Sequence, residues 1–411
     1  MNRSSLRLAA VCAPFLLGAP LAAPLAAGIL SGNCRTAEQP AATLLVPYFE
    51  VDLQNADGAT TLISVNNASS RPTLARVVLW TDWGAPTLSF DIYLTGYDVQ
   101  SLNLRDLFRG HLPGTGPVVS PQGELSDENT AFAGCEGNAK AVSTMPAASW
   151  DFLKAAHTGR PLPGSSTAQC LGSGDKGASI ATGYITVDVV NRCSGASVGK
   201  AQNTPADPAY FAAGGTGLAA NHNVLWGEYI SFNPAKSLAD SQTAVHILAD
   251  ADAFSAGDYT FYGRYVNYDS RDDRAPLSSL YYVRYLNGGP FSGGTDLVVW
   301  RDSRDANVTA RSCGTAPSWA PLGEYQMVVF DEEENPTMMP NSKAFPLASQ
   351  KVHVGDANLA VNEDFGWMMI DLWHSDSTHA QGWVGTVMNA EGRFSVSHTA
   401  IRADDLCNFG L

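Results

Sequence analysis

Gly-Tyr-Ile-Thr-Val-Asp-Val-Val-Asn at Gly183 to Asn191 returns as Gly-Trp-Met-Met-Ile-Asp-Leu-Trp-His at Gly366 to His374, with glycine, aromatic and aspartate in the same places. In the first copy Ile185, Val187 and Val189 share one face and Tyr184, Thr186 and Asp188 the other, the period of a β-strand. The repeat extends outward in order. Val77-Val78-Leu79-Trp80, closing in Ala85-Pro86-Thr87, returns as Met327-Val328-Val329-Phe330, closing in Asn335-Pro336-Thr337. Thr60-Thr61-Leu62-Ile63-Ser64-Val65 pairs with Thr295-Asp296-Leu297-Val298-Val299-Trp300, and Val46-Pro47-Tyr48-Phe49 with Val283-Arg284-Tyr285-Leu286. A collinear repeat of short strands predicts that the Gly183 and Gly366 strands occupy equivalent positions in two related units.

Most other apolar segments are also short, rich in β-branched or aromatic residues, and bounded by Gly, Pro, Asn or Asp. The shared order is an opening strand, a Thr-led strand, a strand ending at Pro-Thr, a Leu-led segment, the Gly-aromatic strand and a closing strand. That number of strands per unit suits an immunoglobulin-like sandwich. The expected fold is all-β, with two tandem immunoglobulin-like β-sandwich domains at 35–245 and 246–411. A single large barrel is the alternative, and duplication favours two units. The first unit carries a long Gly/Pro/Ser-rich insertion at 105–181, whose helical signal is Ser149 to His157, with Ser149 as N-cap and Gly159 as stop. The second has a shorter insertion from Arg301 to Gly323. Thr260 to Val266 and Leu280 to Tyr285 carry aromatics on both faces and are expected to pack on both sides.

Arg3 and Arg7 precede an apolar run broken by Pro14, Pro20 and Pro24, and small residues follow at Ala22, Ala23, Ala26 and Ala27. This pattern reads as a signal peptide, residues 1–27, and places the mature chain in the periplasm, at the cell surface or outside the cell. Lipidation at Cys34 is the weaker reading, because Asn33 stands where a small residue is wanted. Downstream, no apolar run approaches the roughly 20 residues that cross a bilayer. With 40 acidic and 25 basic residues the formal net charge is −15, which argues against nucleic acid or an anionic membrane as partner. The expected partner is an extracellular or envelope ligand. Cys34, Cys135, Cys170, Cys193, Cys313 and Cys407 remain after signal removal, and an even number in an exported chain suggests disulfides. Their connectivity is open. A Cys313–Cys407 bond is expected because those segments lack another partner, and Cys135 or Cys170 is expected to staple the first insertion.

Asp331, Glu332, Glu333 and Glu334 place four carboxylates in one turn, a composition that suits calcium, the one cofactor considered. A solvated acidic turn is the competing and favoured reading, since the matching turn at Thr81 to Ala85 lacks the cluster. His374, Asp376 and His379 combine imidazole and carboxylate without a zinc-binding spacing. Asp188 and Asp371, matched inside both apolar strands, are read as structural acids rather than catalytic ones. Asp269-Ser270-Arg271-Asp272-Asp273-Arg274 is read as a surface ion-pair turn. No nucleophile elbow, phosphate loop or dinucleotide fingerprint is present, and no residue is assigned a catalytic role.

The stretches Gly183-Tyr184-Ile185-Thr186-Val187-Asp188, Leu225-Trp226-Gly227-Glu228-Tyr229, Gly293-Gly294-Thr295-Asp296-Leu297-Val298-Val299-Trp300-Arg301-Asp302 and Phe330-Asp331-Glu332-Glu333-Glu334-Asn335-Pro336 resemble uncharacterised exported bacterial β-sandwich proteins over most of the mature chain. That resemblance carries no function. The leading expectation is a non-enzymatic binding or structural protein. The alternative is a hydrolase of an extracellular polymer such as a glycan, with carboxylates drawn from separate strands and Trp80, Trp83, Trp226, Trp300 or Trp373 stacking on sugar.

Overall fold

A computed structural model describes residues 39–114, 123–127, 132, 145–199, 203–211, 217–302, 308–315, 327–338, 345–356, 359, 361, 363–372, 380–390 and 392–402. The chain is mostly β. Its first set of strands is β1 (Thr43–Asp52), β2 (Thr60–Asn67), β3 (Thr73–Thr81), β4 (Pro86–Leu94), β5 (Val99–Asn103), β6 (Gln169–Cys170), β7 (Ile180–Val190), β8 (Ser197–Val198), β9 (Leu225–Asn233), β10 (Leu238–Thr243) and β11 (Val245–Ile247). The second is β12 (Leu280–Leu286), β13 (Thr295–Arg301), β14 (Arg311–Ser312), β15 (Met327–Phe330), β16 (Pro336–Met338), β17 (Ser349–His353), β18 (Phe365–Asp371), β19 (Gly382–Asn389), β20 (Ser395–Thr399) and β21 (Ile401–Arg402).

The first set forms two antiparallel sheets, ordered β11-β1-β7-β3-β4-β8 and β10-β9-β2-β5, and the second forms β21-β12-β18-β15-β16 and β20-β19-β13-β17. Apart from the short edge strand β8, the two orders correspond strand for strand. Gly183 in β7 and Gly366 in β18 hold the same position in the sheet. Each faces an aromatic on the opening strand, Phe49 or Tyr285, and follows the same hairpin, in which Trp80 pairs with Pro86 and Phe330 with Pro336. A Cβ on Gly183 would overlap the carbonyl oxygen of Trp80, and one on Gly366 that of Phe330. The repeated glycine is therefore a requirement of strand approach.

Two of the sequence pairings shift by one residue. Thr61 Oγ1 accepts from the Glu50 amide at 3.3 Å and donates to the Glu50 carbonyl at 3.4 Å, and Thr295 Oγ1 does the same with Leu286 at 2.8 Å each. Thr295 is thus equivalent to Thr61, not Thr60. A bulge in β1 between Val46 and Phe49 adds a residue there, so Val46 matches Val283 but Phe49 matches Tyr285.

Alternation divides each inner strand between two cores. Val77, Leu79, Ile185 and Val187 lie between the first two sheets, and Leu297, Val299, Met368 and Ile370 between the second two. A third core joins the halves: Val78, Trp80 and Tyr184 from the first meet Val298, Trp300 and Trp383 from the second. The edge strands β20 and β10 also touch, with Ser395 and Ser397 Oγ donating to the Ala239 and Ser241 carbonyls at 3.0 Å. Thr260 to Val266, expected to pack on both sides, forms turns and a 3-10 helix at Gly263–Tyr265, and drives Phe261, Tyr262 and Tyr265 into this seam.

The insertion contains α1 (Leu104–Phe108) and α2 (Ala147–His157). The helix forms where expected, but it starts at Ala147, two residues before Ser149, with Pro146 in the N-cap position and no side-chain cap. Gly159 follows with φ +62°, the left-handed conformation of a helix stop.

Candidate functional site: the seam and the outer sheet

The seam takes most of the buried aromatics. Trp80 stacks on Tyr184 with centroids 5.7 Å apart and planes 2° apart, and Trp300 meets Tyr184 edge-on and stacks on Phe261. Trp80 Nε1 donates to Thr186 Oγ1 at 2.9 Å. These rings leave a cavity of about 10 Å³, room for one water and no larger ligand. Arg264 closes its wall through a 2.5 Å ion pair with Asp302. Trp80, Trp83 and Trp300 are thus buried packing residues, and Trp226 is exposed. Trp373, with His374, Asp376 and His379, lies outside the described residues.

Asp188 is a buried structural acid, as its apolar strand suggested. Its carboxylate accepts from Thr43 Oγ1 at 2.5 Å, Tyr210 Oη at 3.0 Å and Tyr262 Oη at 3.1 Å. Arg274 Nε donates to the same Thr43 hydroxyl at 2.5 Å and stands 3.7 Å from Asp188, and its Nη1 lies 3.4 Å from Asp272. Burial pushes the Asp188 carboxyl up, against the pull of Arg274 and the three hydroxyls. The surface ion-pair turn is therefore half right. Asp269 and Arg271 pair in solvent, whereas Asp272 and Arg274 are fully buried, because their loop folds back over the sheet. A second buried pair, Arg76 with Asp91 at 2.7 Å, holds Ser194, Gly195 and Asn203 through the Gly195 and Asn203 carbonyls and the Ser194 and Gly195 amides.

The two insertions meet each other. Cys170 is bonded to Cys313, and β6 pairs with β14 beside that bond. The expected Cys313–Cys407 bond is therefore replaced, since segments remote along the chain are brought together by the seam; Cys407 itself lies outside the described residues. Trp83 and Leu347 pack on the disulfide. Next to it, buried Asp82 accepts from the Ser173 amide at 3.0 Å and from its hydroxyl, and its carbonyl accepts from the Ala348 amide at 2.8 Å. Burial pushes the Asp82 carboxyl up to about 7, against the Ser173 hydrogen bonds.

One polar cluster at the seam is partly open to solvent. Lys351 Nζ lies 2.9 Å from Glu50, which also accepts from Tyr48 Oη at 3.1 Å, and His353 Nδ1 lies 2.9 Å from Asp296. Burial opposes the Glu50 charge, and Lys351, Tyr48 and Lys176 together more than offset it. The Asp296 hydrogen bond raises His353. Each acid thus has a basic partner.

The acidic turn is built differently from a ligand cage. Asp331 accepts from the Glu333 and Asn335 amides at 2.9 and 2.8 Å and from Asn335 Nδ2 at 2.8 Å, which holds its carboxyl below the usual range. Glu332, Glu333 and Glu334 are exposed. Among the described residues no group of three or more His, Cys, Asp or Glu side chains is placed to hold a metal.

Sequence reasoning missed the outer face of the β16-β15-β18-β12-β21 sheet. Tyr282, Met338, Trp367 and Ile401 are exposed there, and Phe330 stacks on Trp367 with centroids 4.0 Å and planes 8° apart. The signal was present: at Phe330 and Trp367 the second unit keeps the aromatics of Trp80 and Tyr184. Among the described residues no helix is long and apolar enough to cross a membrane. Comparison with protein-family models, curated proteins and solved structures returns no match.

Proposed function

We propose that this chain is an exported, non-enzymatic protein of two tandem immunoglobulin-like β-sandwich domains, 35–245 and 246–411, with a binding or structural role in the cell envelope or outside the cell. One observation carries the reading. Among the described residues Trp80, Trp83, Trp300 and Trp383 are packed in cores, Trp226 and Trp367 lie on exposed strand faces, and the cavity beside Trp80 and Trp300 is about 10 Å³, whereas a glycan hydrolase needs two carboxyls roughly 5 to 9.5 Å apart with room for sugar between them. The exposed Phe330–Trp367 face then supplies an apolar binding surface on an acidic, soluble protein. The Cys170–Cys313 bond and the resemblance to exported bacterial sandwich proteins support an oxidising compartment.

Fractionation of the native cell with detection of this chain tests the compartment. The expected result is recovery in the periplasm, on the surface or in the medium; retention in the cytoplasm overturns it. Activity is tested by incubation with envelope and extracellular glycans. Release of reducing sugar that disappears in Glu50→Gln or Asp296→Asn would establish the hydrolase alternative, because these are the carboxylates of the partly open cluster.

A further inference from the structure

The two halves share a sheet order but not a fate for their outer faces. In the first half the Trp80–Tyr184 stack is covered by Trp300 and Trp383 of the β20-β19-β13-β17 sheet. The equivalent Phe330–Trp367 stack has no such cover among the described residues, with Trp367 exposed and Phe330 half-buried. We infer that this second face docks a second copy of the chain, through the outer face of that copy's β10-β9-β2-β5 sheet, repeating the internal seam between molecules. The inference rests on the binding or structural role proposed above and names its partner.

The duplication and the exposed Trp226 point to the partner sheet. Thr61 faces Ser231 and Thr295 faces Met388, so Ser231 and Met388 are equivalent, and five residues back on each strand stand Trp226 and Trp383. Trp383 is 4% exposed inside the seam, whereas Trp226 is 43% exposed. Val99 is exposed on the same face, two strands across. Each molecule thus carries part of the covering face a second time: Trp226 stands where Trp383 does, while Ser64 and Asn66 stand where Val298 and Trp300 do. Charge agrees: Arg284, which pairs with Trp367, and Glu228, two residues from Trp226, are both exposed and opposite in sign. A sugar is the poorer occupant, since Phe330 and Trp367 turn their ring faces toward each other.

The two patches differ, so the contact is heterologous and extends into a chain of molecules rather than closing as a dimer. A net charge of −15 repels copies, so screening should favour assembly. The test is sedimentation of the purified exported chain over a concentration series, at about 50 and about 300 mM salt. The wild type is expected to pass beyond dimer as concentration and salt rise. Trp367→Glu and Trp226→Glu are each expected to weaken association about 30-fold or more, as for an interface tryptophan. Both positions are exposed, and unchanged thermal unfolding verifies that the variants fold. Mixing the two variants should give a one-to-one complex and nothing larger, since each retains the face the other has lost. A wild type that stays monomeric throughout overturns the inference, as does a dimer insensitive to Trp226→Glu. A monomeric wild type held in the envelope through Trp367 would sink self-docking while leaving the binding role standing.

Discussion

Removing the Cys170–Cys313 bond should cost more than any single contact in the seam, and the size follows from the topology. The bond closes a sequence separation of 143 residues. In the chain-entropy model a loop of that length restrains the unfolded state by about 17 cal/mol/K, or about 5 kcal/mol at 25 °C. That figure is a ceiling, since measured disulfides usually contribute about 2 to 4 kcal/mol. Reduction is a poor probe, because Cys193 is disulfide-bonded too. Cys170→Ala, Cys313→Ala and the double variant, unfolded in urea under non-reducing conditions, separate the contributions. Since the two cysteines make one bond, each single substitution should cost nearly what the double costs. A double variant costing the sum of two independent singles, an unchanged midpoint, or peptide mapping that joins Cys313 to Cys407 would each refute the reasoning.

Gly183→Ala and Gly366→Ala should each destabilise by about 1 to 3 kcal/mol, because the added methyl meets the carbonyl of Trp80 or Phe330; a neutral Gly366→Ala beside a costly Gly183→Ala in urea unfolding would break the equivalence of the strands. Asp82 titrates near 7 when folded and near 3.8 when unfolded, so the folded state binds the proton more tightly and its contribution to stability grows as pH falls from about 7 toward 4. Melting temperatures of wild type and Asp82→Asn, compared at about pH 5 and about pH 8, should therefore favour the variant more at the higher pH; a pH-independent difference refutes the shift. Millimolar calcium should leave the melting temperature of the wild type unchanged, and a rise of several degrees that vanishes in Asp331→Asn would make the acidic turn a metal site.

How much of this was legible in the sequence depends on how local each constraint is. Glycine at 183 and 366 leaves a mark because one excluded methyl is enough to reject every other residue there, so the strand order around it could be read. The Thr-led strands could not be aligned to the residue, since Thr60 and Thr61 are adjacent threonines and only the hydroxyl bond to Glu50 distinguishes them. The slip matters, because one residue turns Ile63 from core to surface. Nor could the bulge in β1 be seen, as Pro47 and Tyr48 offer no local sign of an extra residue.

The constraints that failed to show are those set by the seam. Cys313 finds Cys170 because two insertions converge over a contact between halves, and Asp272 and Arg274 are buried by the same packing although their own hexapeptide reads as solvated. Conversely, Asp188 was legible as a structural acid because its strand neighbours are apolar, but its donors Thr43, Tyr210 and Tyr262 and its ion-pair partner Arg274 come from four separate segments. A sequence repeat reports what each half must do alone; it does not report that one copy of the outer face is covered. That difference is why the exposed Phe330–Trp367 pair, unremarkable as a strand pattern, becomes the most informative surface once the buried Trp80–Tyr184 pair is placed beside it.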